Sequence, residues 1–288
     1  MSIKIGIELE VLNVTINEVR NAVEAVGSTF DGYSRYHGLP MATGWKAEQD
    51  SSLTGRPATE TTKGNVEIIS RPLVGVAGVR EMKRLTTQLK RAGATVDRSC
   101  GTHITLGLDD NMRFNRMSES KKLVVMDRIV KTYEHFQNVM DALSPNNRQV
   151  NSHTGTQTNH YCLPATNTTR TSSVNTTKYI MHGVVEFRQC GYTLSGKKIE
   201  QWVKIVNAIV SAAMNENHRS RDMILSEQAV TIEAMCNYLN IRNTTEDWMI
   251  ARVTELATKY TGGRSNRLSV LATTDGAFNQ NRIYSGWC

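Results

Sequence analysis

The sequence predicts an α+β fold, a sheet with one face buried under helices and the other left polar. Three observations carry this. Short segments alternate strictly between apolar and polar residues. Longer segments between them repeat apolar residues at helical spacing. Each alternating segment also carries a carboxylate or a histidine on its polar side.

The alternation is clearest at the start of the chain. Ile3, Ile5, Ile7, Leu9 and Val11 fall on one side of an extended strand, and Lys4, Gly6, Glu8 and Glu10 on the other. Glutamate is not a favoured strand residue. Two on one face are either a solvated surface or hard oxygen ligands for a divalent cation. Thr15-Ile16-Asn17-Glu18 then reads as a capping box opening a helix, with Ile16, Val19, Val23 and Val26 as its stripe and Gly27 as its stop.

Phe30 to Tyr36 is extended or hairpin-like, and Trp45 to Asp50 is a further strand running into Asp50-Ser51-Ser52-Leu53. The polar stretch Ser52 to Gly64 is a loop. Val66 to Ser70 is a β-branched strand stopped by Pro72, with Glu67 opposite Val66 and Ile68. Val79, Met82, Leu85, Leu89 and Ala92 mark a helix closed by Gly93. Thr102 to Leu106 is a strand with His103 turned away from Ile104, and Thr105 is assigned to the face opposite His103. One long helix is expected from Ser118, with Leu123, Met126, Ile129, Val130, Tyr133, Phe136 and Met140 on one side.

Asn146 to Thr177 is crowded with Asn, Thr, Ser and His, and reads as a structureless lid. Lys178 to Met181 and Val184 to Arg188 read as a hairpin turned at His182-Gly183, with Glu186 and Arg188 sharing a face. Ile199, Trp202, Val203, Val206, Ile209, Val210 and Ala213 form a strong helical stripe. Two more helices are expected around Ile232 to Leu239 and Met249 to Tyr260, and the tail after Gly263 has no assignment. The expected division is residues 1–220 as a catalytic domain and 221–288 as a helical extension packed on it.

Composition narrows the function. The chain has 288 residues, 21% charged and 6% aromatic, with a formal net charge of +7. A mildly basic surface suits anionic partners. With no basic run interleaved by aromatics, nucleic acid is not favoured as a partner. The five cysteines show no paired spacing, no apolar run reaches the length of a membrane span, and the chain enters its first strand at once. These features suggest reduced thiols, no signal peptide and a cytoplasmic setting.

Assembled, the polar strand faces make a basin holding Glu8, Glu10, Glu67, His103, Glu186 and Arg188. Clustered carboxylates repel one another unless cations neutralise them. Mg²⁺ takes one or two carboxylates together with nucleotide phosphates, so four glutamates suit two or more ions. An arginine beside them offers a permanently charged fork for phosphate oxygens. Carboxylates, Mg²⁺ and Arg together serve phosphoryl transfer. Lys178, Arg148 and Arg170 are further candidates for phosphate or carboxylate contacts. Cys100, near His103, is read as a buried small hydrophobe rather than a nucleophile.

The ordered series Gly6-Ile7-Glu8-Leu9-Glu10, Asp50-Ser51-Ser52-Leu53, Glu67-Ile68-Ile69-Ser70-Arg71-Pro72-Leu73, Cys100-Gly101-Thr102-His103, Val174-Asn175 and Val185-Glu186-Phe187-Arg188 resembles the amidoligase family of phages and bacteria. That family is similar to glutamine synthetase and γ-glutamylcysteine ligase. The resemblance implies a curved, mainly antiparallel sheet with helices on its outer face. It implies ATP-dependent amide formation, in which a carboxylate becomes an acyl phosphate and an amine displaces phosphate. By position, Glu8, Glu10, Glu67 and Glu186 would hold Mg²⁺, and Arg188 would clamp nucleotide phosphate beside His103, Lys178 and Arg170. Asp50 would join Glu186 and Arg188 in the catalytic set, and Asn175 would meet substrate; Arg71, which the family pattern does not assign, is a further candidate to face substrate. The family often has His-x-His where this chain has His103-Ile104-Thr105. The implied partners are a carboxylate and an amine, with a peptide or protein among the acceptors. The rival readings are a metal-dependent phosphohydrolase or nuclease using the same carboxylates, and a basic binding module without catalysis.

Overall fold

Eight strands carry the alternating segments: β1 (Lys4–Val14), β2 (Phe30–Ser34), β3 (Trp45–Glu48), β4 (Gly64–Ser70), β5 (Leu73–Val74), β6 (Thr102–Gly107), β7 (Val174–Asn175) and β8 (Val184–Phe187). They were placed in a computed structural model that describes residues 4–35, 38–40, 43–109, 111–150, 162–215, 225, 228–241, 243–260 and 264–272. The chain forms two compact units, 1–115 with 178–202, and 116–177 with 203–288. The segment 116–177 leaves the first unit, and the chain then returns to it for 178–202.

In the first unit the strand order is β2-β3-β4-β1-β6-β8, and every pairing but the parallel β2–β3 pair is antiparallel. The α+β expectation with a mainly antiparallel sheet therefore holds. β1 lies inside the sheet, between β4 and β6. Between the Glu8–Ile69 and Ile5–Leu73 pairs, β1 advances three residues while its partner advances four. The extra residue is a bulge at Arg71-Pro72, where proline has no N–H for the ladder. The apolar face is fully covered: Ile7, Leu9, Val11, Trp45, Ala47, Val66, Ile68, Ile104, Leu106, Val185 and Phe187 are buried.

Helices α1 (Ile16–Glu24) and α2 (Gly75–Arg91) supply the first unit's principal helical layer. The Thr15–Glu18 capping box forms in both directions, and Ile16, Val19 and Val23 are buried. Helix α2 buries Met82, Leu85 and Leu89. It lies so close to β5 that a Cβ at Gly78 would stand 2.7 Å from Leu73 Cβ.

Several sequence expectations need correction. Thr105 shares the face of His103, because it lies two residues along the same strand; it is paired with Gly6, as His103 is with Glu8. Lys178 to Met181 is not a strand but lies in a short helix, α6 (Thr177–His182), which follows α3 (Met112–Asn115), α4 (Glu119–His135) and α5 (Gln137–Leu143). Asn175 Oδ1 accepts from both the N–H and the hydroxyl of Thr177, turning the chain into the helix. Gly183, at φ +65°, ends it. The single long helix from Ser118 divides at Phe136 into α4 and α5, and Leu123, placed in its apolar stripe, is exposed.

The second unit is mainly helical, with α4, α5 and the helices Ile232–Leu239, Thr244–Lys259 and Arg264–Ser269. Helix α7 (Gly196–Ala213) begins in the first unit and ends in the second, and its predicted stripe is buried. The two ends of the expected structureless lid are ordered turns. Asn146–Arg148 and Ala165–Asn167 are short 3-10 helices, and Cys162, Ser172, Ser173 and Val174 are buried. Leu163 and Ser173 exchange backbone bonds with this segment, and Thr169 N–H donates to Ser172 Oγ, so the polar residues are consumed locally. The middle of that stretch, 151–161, lies outside the described residues, as do Ile3, Tyr36 and the tail beyond 272.

Candidate metal and nucleotide site

The polar face of the first unit's sheet gathers acidic groups by register alone. Glu10 pairs with Glu67, and Glu67 with Glu48, so three adjacent strands set three glutamates in a row. One step along, Glu8 pairs with His103. Glu186 pairs with Thr105, which in turn faces Gly6. A Cβ at Gly6 would stand 3.2 Å from Thr105 Cβ, which accounts for the glycine at this point of the Gly6-to-Glu10 motif.

His103 sits at the centre, buried. Its Nδ1 is 3.0 Å from Glu8 Oε2 and 3.7 Å from Glu186 Oε1, and its Nε2 is 3.7 Å from Glu10 Oε1. A carboxylate only accepts, so Nδ1 carries a proton at the 3.0 Å contact with Glu8, and Nε2 faces Glu10. Two sets of donor atoms meet the spacing of a metal site, with all atoms of each set within 4.8 Å: Glu8–His103–Glu186 and Glu10–Glu67–His103. Gly101 N–H donates to Glu10 Oε2 and fixes that carboxylate from the turn before β6.

Cations already stand at the first set. Lys178 Nζ donates to Glu186 Oε1 at 2.9 Å and to Glu8 Oε1 at 3.4 Å. Arg188 Nη1 donates to the same Glu186 oxygen at 3.1 Å. Burial opposes the charge on both bases, but the neighbouring carboxylates prevail and hold both well protonated: Glu8 and Glu186 for Lys178, joined by Glu10 for Arg188. Glu67 is different. Burial pushes its carboxyl well above the usual carboxylate range, and the charges of Glu8, Glu10, Asp50 and Glu48 add to that. The donor chemistry therefore fits hard divalent cations. Oxygen ligands with a single imidazole suit Mg²⁺ or Mn²⁺ better than a softer ion, and such a charge would relieve the repulsion at Glu67.

This has a measurable consequence. Glu67 is more easily protonated in the fold than in the unfolded chain. Its contribution to stability is complete below the unfolded value and is lost as pH rises through the folded one. With a chelator present, Tm should fall as pH rises above the ordinary carboxylate range, and Glu67→Gln should flatten that slope. Added Mn²⁺ should raise Tm most at the alkaline end. A slope unchanged in Glu67→Gln would remove Glu67 from this account.

A family whose members are described as "Putative amidoligase enzyme" matches residues 1–161. The match covers more than half of the 288 residues. The chain belongs to the amidoligase family. No curated protein matches it. Membership places this amidoligase relative among ligases, and so among enzymes. The matched segment contains Glu8, Glu10, Asp50, Glu67 and His103 and ends before Glu186, which β8 brings to the same face, and before Lys178 and Arg188, which pair with it. Among the described residues, no helix is long and apolar enough to cross a membrane.

The other expected site residues of this family member divide. Asp50 lies close enough for its charge to be felt at Glu67, and its Oδ1 accepts from Ser52 N–H at 2.7 Å. Arg71 does not join the carboxylates. It pairs at 2.7 Å with Glu81 of α2, which also accepts from Trp45 Nε1. Arg148, Arg170 and Asn175 belong to the second unit: Arg148 is buried in the Asn146–Arg148 turn, Arg170 is exposed, and Asn175 is buried and caps α6. Burial, with Glu10 and Asp97 nearby, pushes the Cys100 thiol up to about 11, which suits its reading as an inert hydrophobe.

Glu48 was not among the expected site residues. It is fully buried beside Glu67 and receives Lys46 Nζ at 2.6 Å. The signal was present, since Trp45-Lys46-Ala47-Glu48 alternates like the other strands and puts Glu48 on the polar side.

Proposed function

We propose that the chain is an ATP- and Mg²⁺-dependent ligase that activates a carboxylate as an acyl phosphate and joins it to an amine. The observation carrying this reading is the pair of donor sets sharing His103, flanked by Lys178 and Arg188, in a member of the amidoligase family. Glu10, Glu67 and His103 Nε2 would hold one Mg²⁺, and Glu8 with Glu186 would hold a second. The bound ions would neutralise charge on the phosphoryl group in transfer. Arg188, permanently charged and tied to Glu186, is placed to receive phosphate oxygens as they approach the carboxylates. Glu8 orients the His103 ring by accepting from Nδ1, as carboxylates commonly do for metal-bound histidine. The acceptor is proposed to be an amino acid, a peptide or a protein side chain.

Calorimetric titration tests the nucleotide part. ATP should bind with Mg²⁺ and bind at least about ten-fold more weakly in a chelator. A screen of carboxylate and amine pairs for ADP release tests the ligase part. Release that needs both partners supports it. Phosphate release without an amine would favour a phosphohydrolase, and salt-sensitive polyanion binding without Mg²⁺-dependent ATP affinity would favour a binding module.

A further inference from the structure

Lys178 deepens the reading just given and rests on it. Its ammonium lies between Glu8 Oε1, at 3.4 Å, and Glu186 Oε1, at 2.9 Å, two carboxylates of one candidate metal set. It does so from α6, outside the sheet that supplies the ligands. The set is graded in exposure: the Glu186 side chain is 0% exposed, that of His103 4%, that of Glu8 19% and that of Lys178 34%. Lys178 is thus the member nearest water, on the side from which an ion would enter. A lysine has a flexible four-carbon stem and a compact head, so its charge can leave by rotation alone, with the backbone of α6 unmoved.

The two sets differ in what stands beside them: Lys178 donates to Glu8 and Glu186, and Arg188 donates to Glu186. An ion entering there meets a resident positive charge. The Glu10–Glu67 side has no such competitor in Lys178, whose ion pairs are with Glu8 and Glu186.

We infer that Lys178 is a tethered counter-ion for the Glu8–Glu186 cation site, so that the two sites fill in order and the second fills only as Lys178 swings away. Nucleotide phosphate is the natural acceptor for the released ammonium, since it carries the opposite charge and arrives with the incoming ion. Lys178 is then a positioning residue. It neutralises Glu8 and the buried Glu186 before an ion arrives and couples occupation of the second site to nucleotide.

Mn²⁺ binding, read by electron paramagnetic resonance and calorimetry, tests this without reference to turnover. The wild-type chain without nucleotide should show one tight and one weak Mn²⁺ site, and a non-hydrolysable ATP analogue should tighten the weak one. Lys178→Met should tighten the weak site about ten-fold or more in the absence of nucleotide, because a unit positive charge about 3 Å from its ligands is gone. It should also lower Tm in chelator and widen the stabilisation by Mn²⁺. Lys178→Arg, which keeps the charge, should behave as wild type, and Lys178→Gln provides a second neutral variant should the methionine fail to fold. Equal Mn²⁺ affinities in wild type and both neutral variants would overturn the counter-ion role while leaving the metal reading in place. Absence of Mn²⁺ binding in every variant would overturn both.

Discussion

Glu186→Gln should abolish ADP release and leave the fold intact. Glutamine has the shape of glutamate, and Lys178 retains its pair with Glu8. What goes is the charge that draws Lys178, Arg188 and His103 to one buried oxygen. Loss of a partner outside the ligand shell commonly costs 10–100-fold in metal affinity or activity, so loss of a direct ligand should cost at least about 100-fold. Circular dichroism should be unchanged and the Mg²⁺ concentration for half-maximal activity should rise steeply. Unchanged turnover, or lost turnover with an unchanged Mg²⁺ requirement, would take Glu186 out of the metal set.

The second large effect belongs to the other unit. Arg267 is 2% exposed and donates from Nη1 to the carbonyls of Asp141, Ala142 and Ser144 at 3.2, 2.8 and 2.9 Å, and from Nη2 to Asn146 Oδ1 at 2.5 Å. It serves carbonyls at the end of α5, where Asp141 O also accepts from Ser144 N–H and Gln149 Nε2. Burial lowers its guanidinium to about 10, still charged at neutral pH. Arg267→Met removes all four of these bonds and should cost about 3 kcal/mol. That corresponds to roughly a 10 °C drop in the melting transition of this unit. A shift of only a degree or two would mean that water or neighbouring donors replace the guanidinium.

The basin was legible because strand geometry is strict. A period of two puts Glu8 with Glu10, and Glu186 with Arg188, on one face whatever the rest of the chain does. Strand neighbours were not legible, since nothing in Val66 to Ser70 says that it lies between β1 and β3; hence the row Glu10–Glu67–Glu48 emerged only with the register. Glu48 alternates onto the polar side of its segment, but its place beside Glu67 appears only with the β3–β4 register. The helix at Lys178 was misread because Tyr179 and Ile180 favour strands, while the residues that decide it, Asn175 and Gly183, lie outside the segment. Arg71 shows the limit of motif reading. A bulge of one residue turns its side chain to Glu81 on α2, and a bulge is not visible in residue types alone.

The order of the strands along the chain has a consequence for biosynthesis. β6 leaves the ribosome long before β8, and residues 108–183 must follow before its second neighbour exists. At ordinary translation rates that is a wait of roughly 4–15 seconds. Until then the nascent sheet carries an unpaired β6 rim one strand from Glu8 and Glu10, with Lys178 made only at the end of the wait and Arg188 after it. Chaperones or free Mg²⁺ in the cell would meet the protein first in that half-built state.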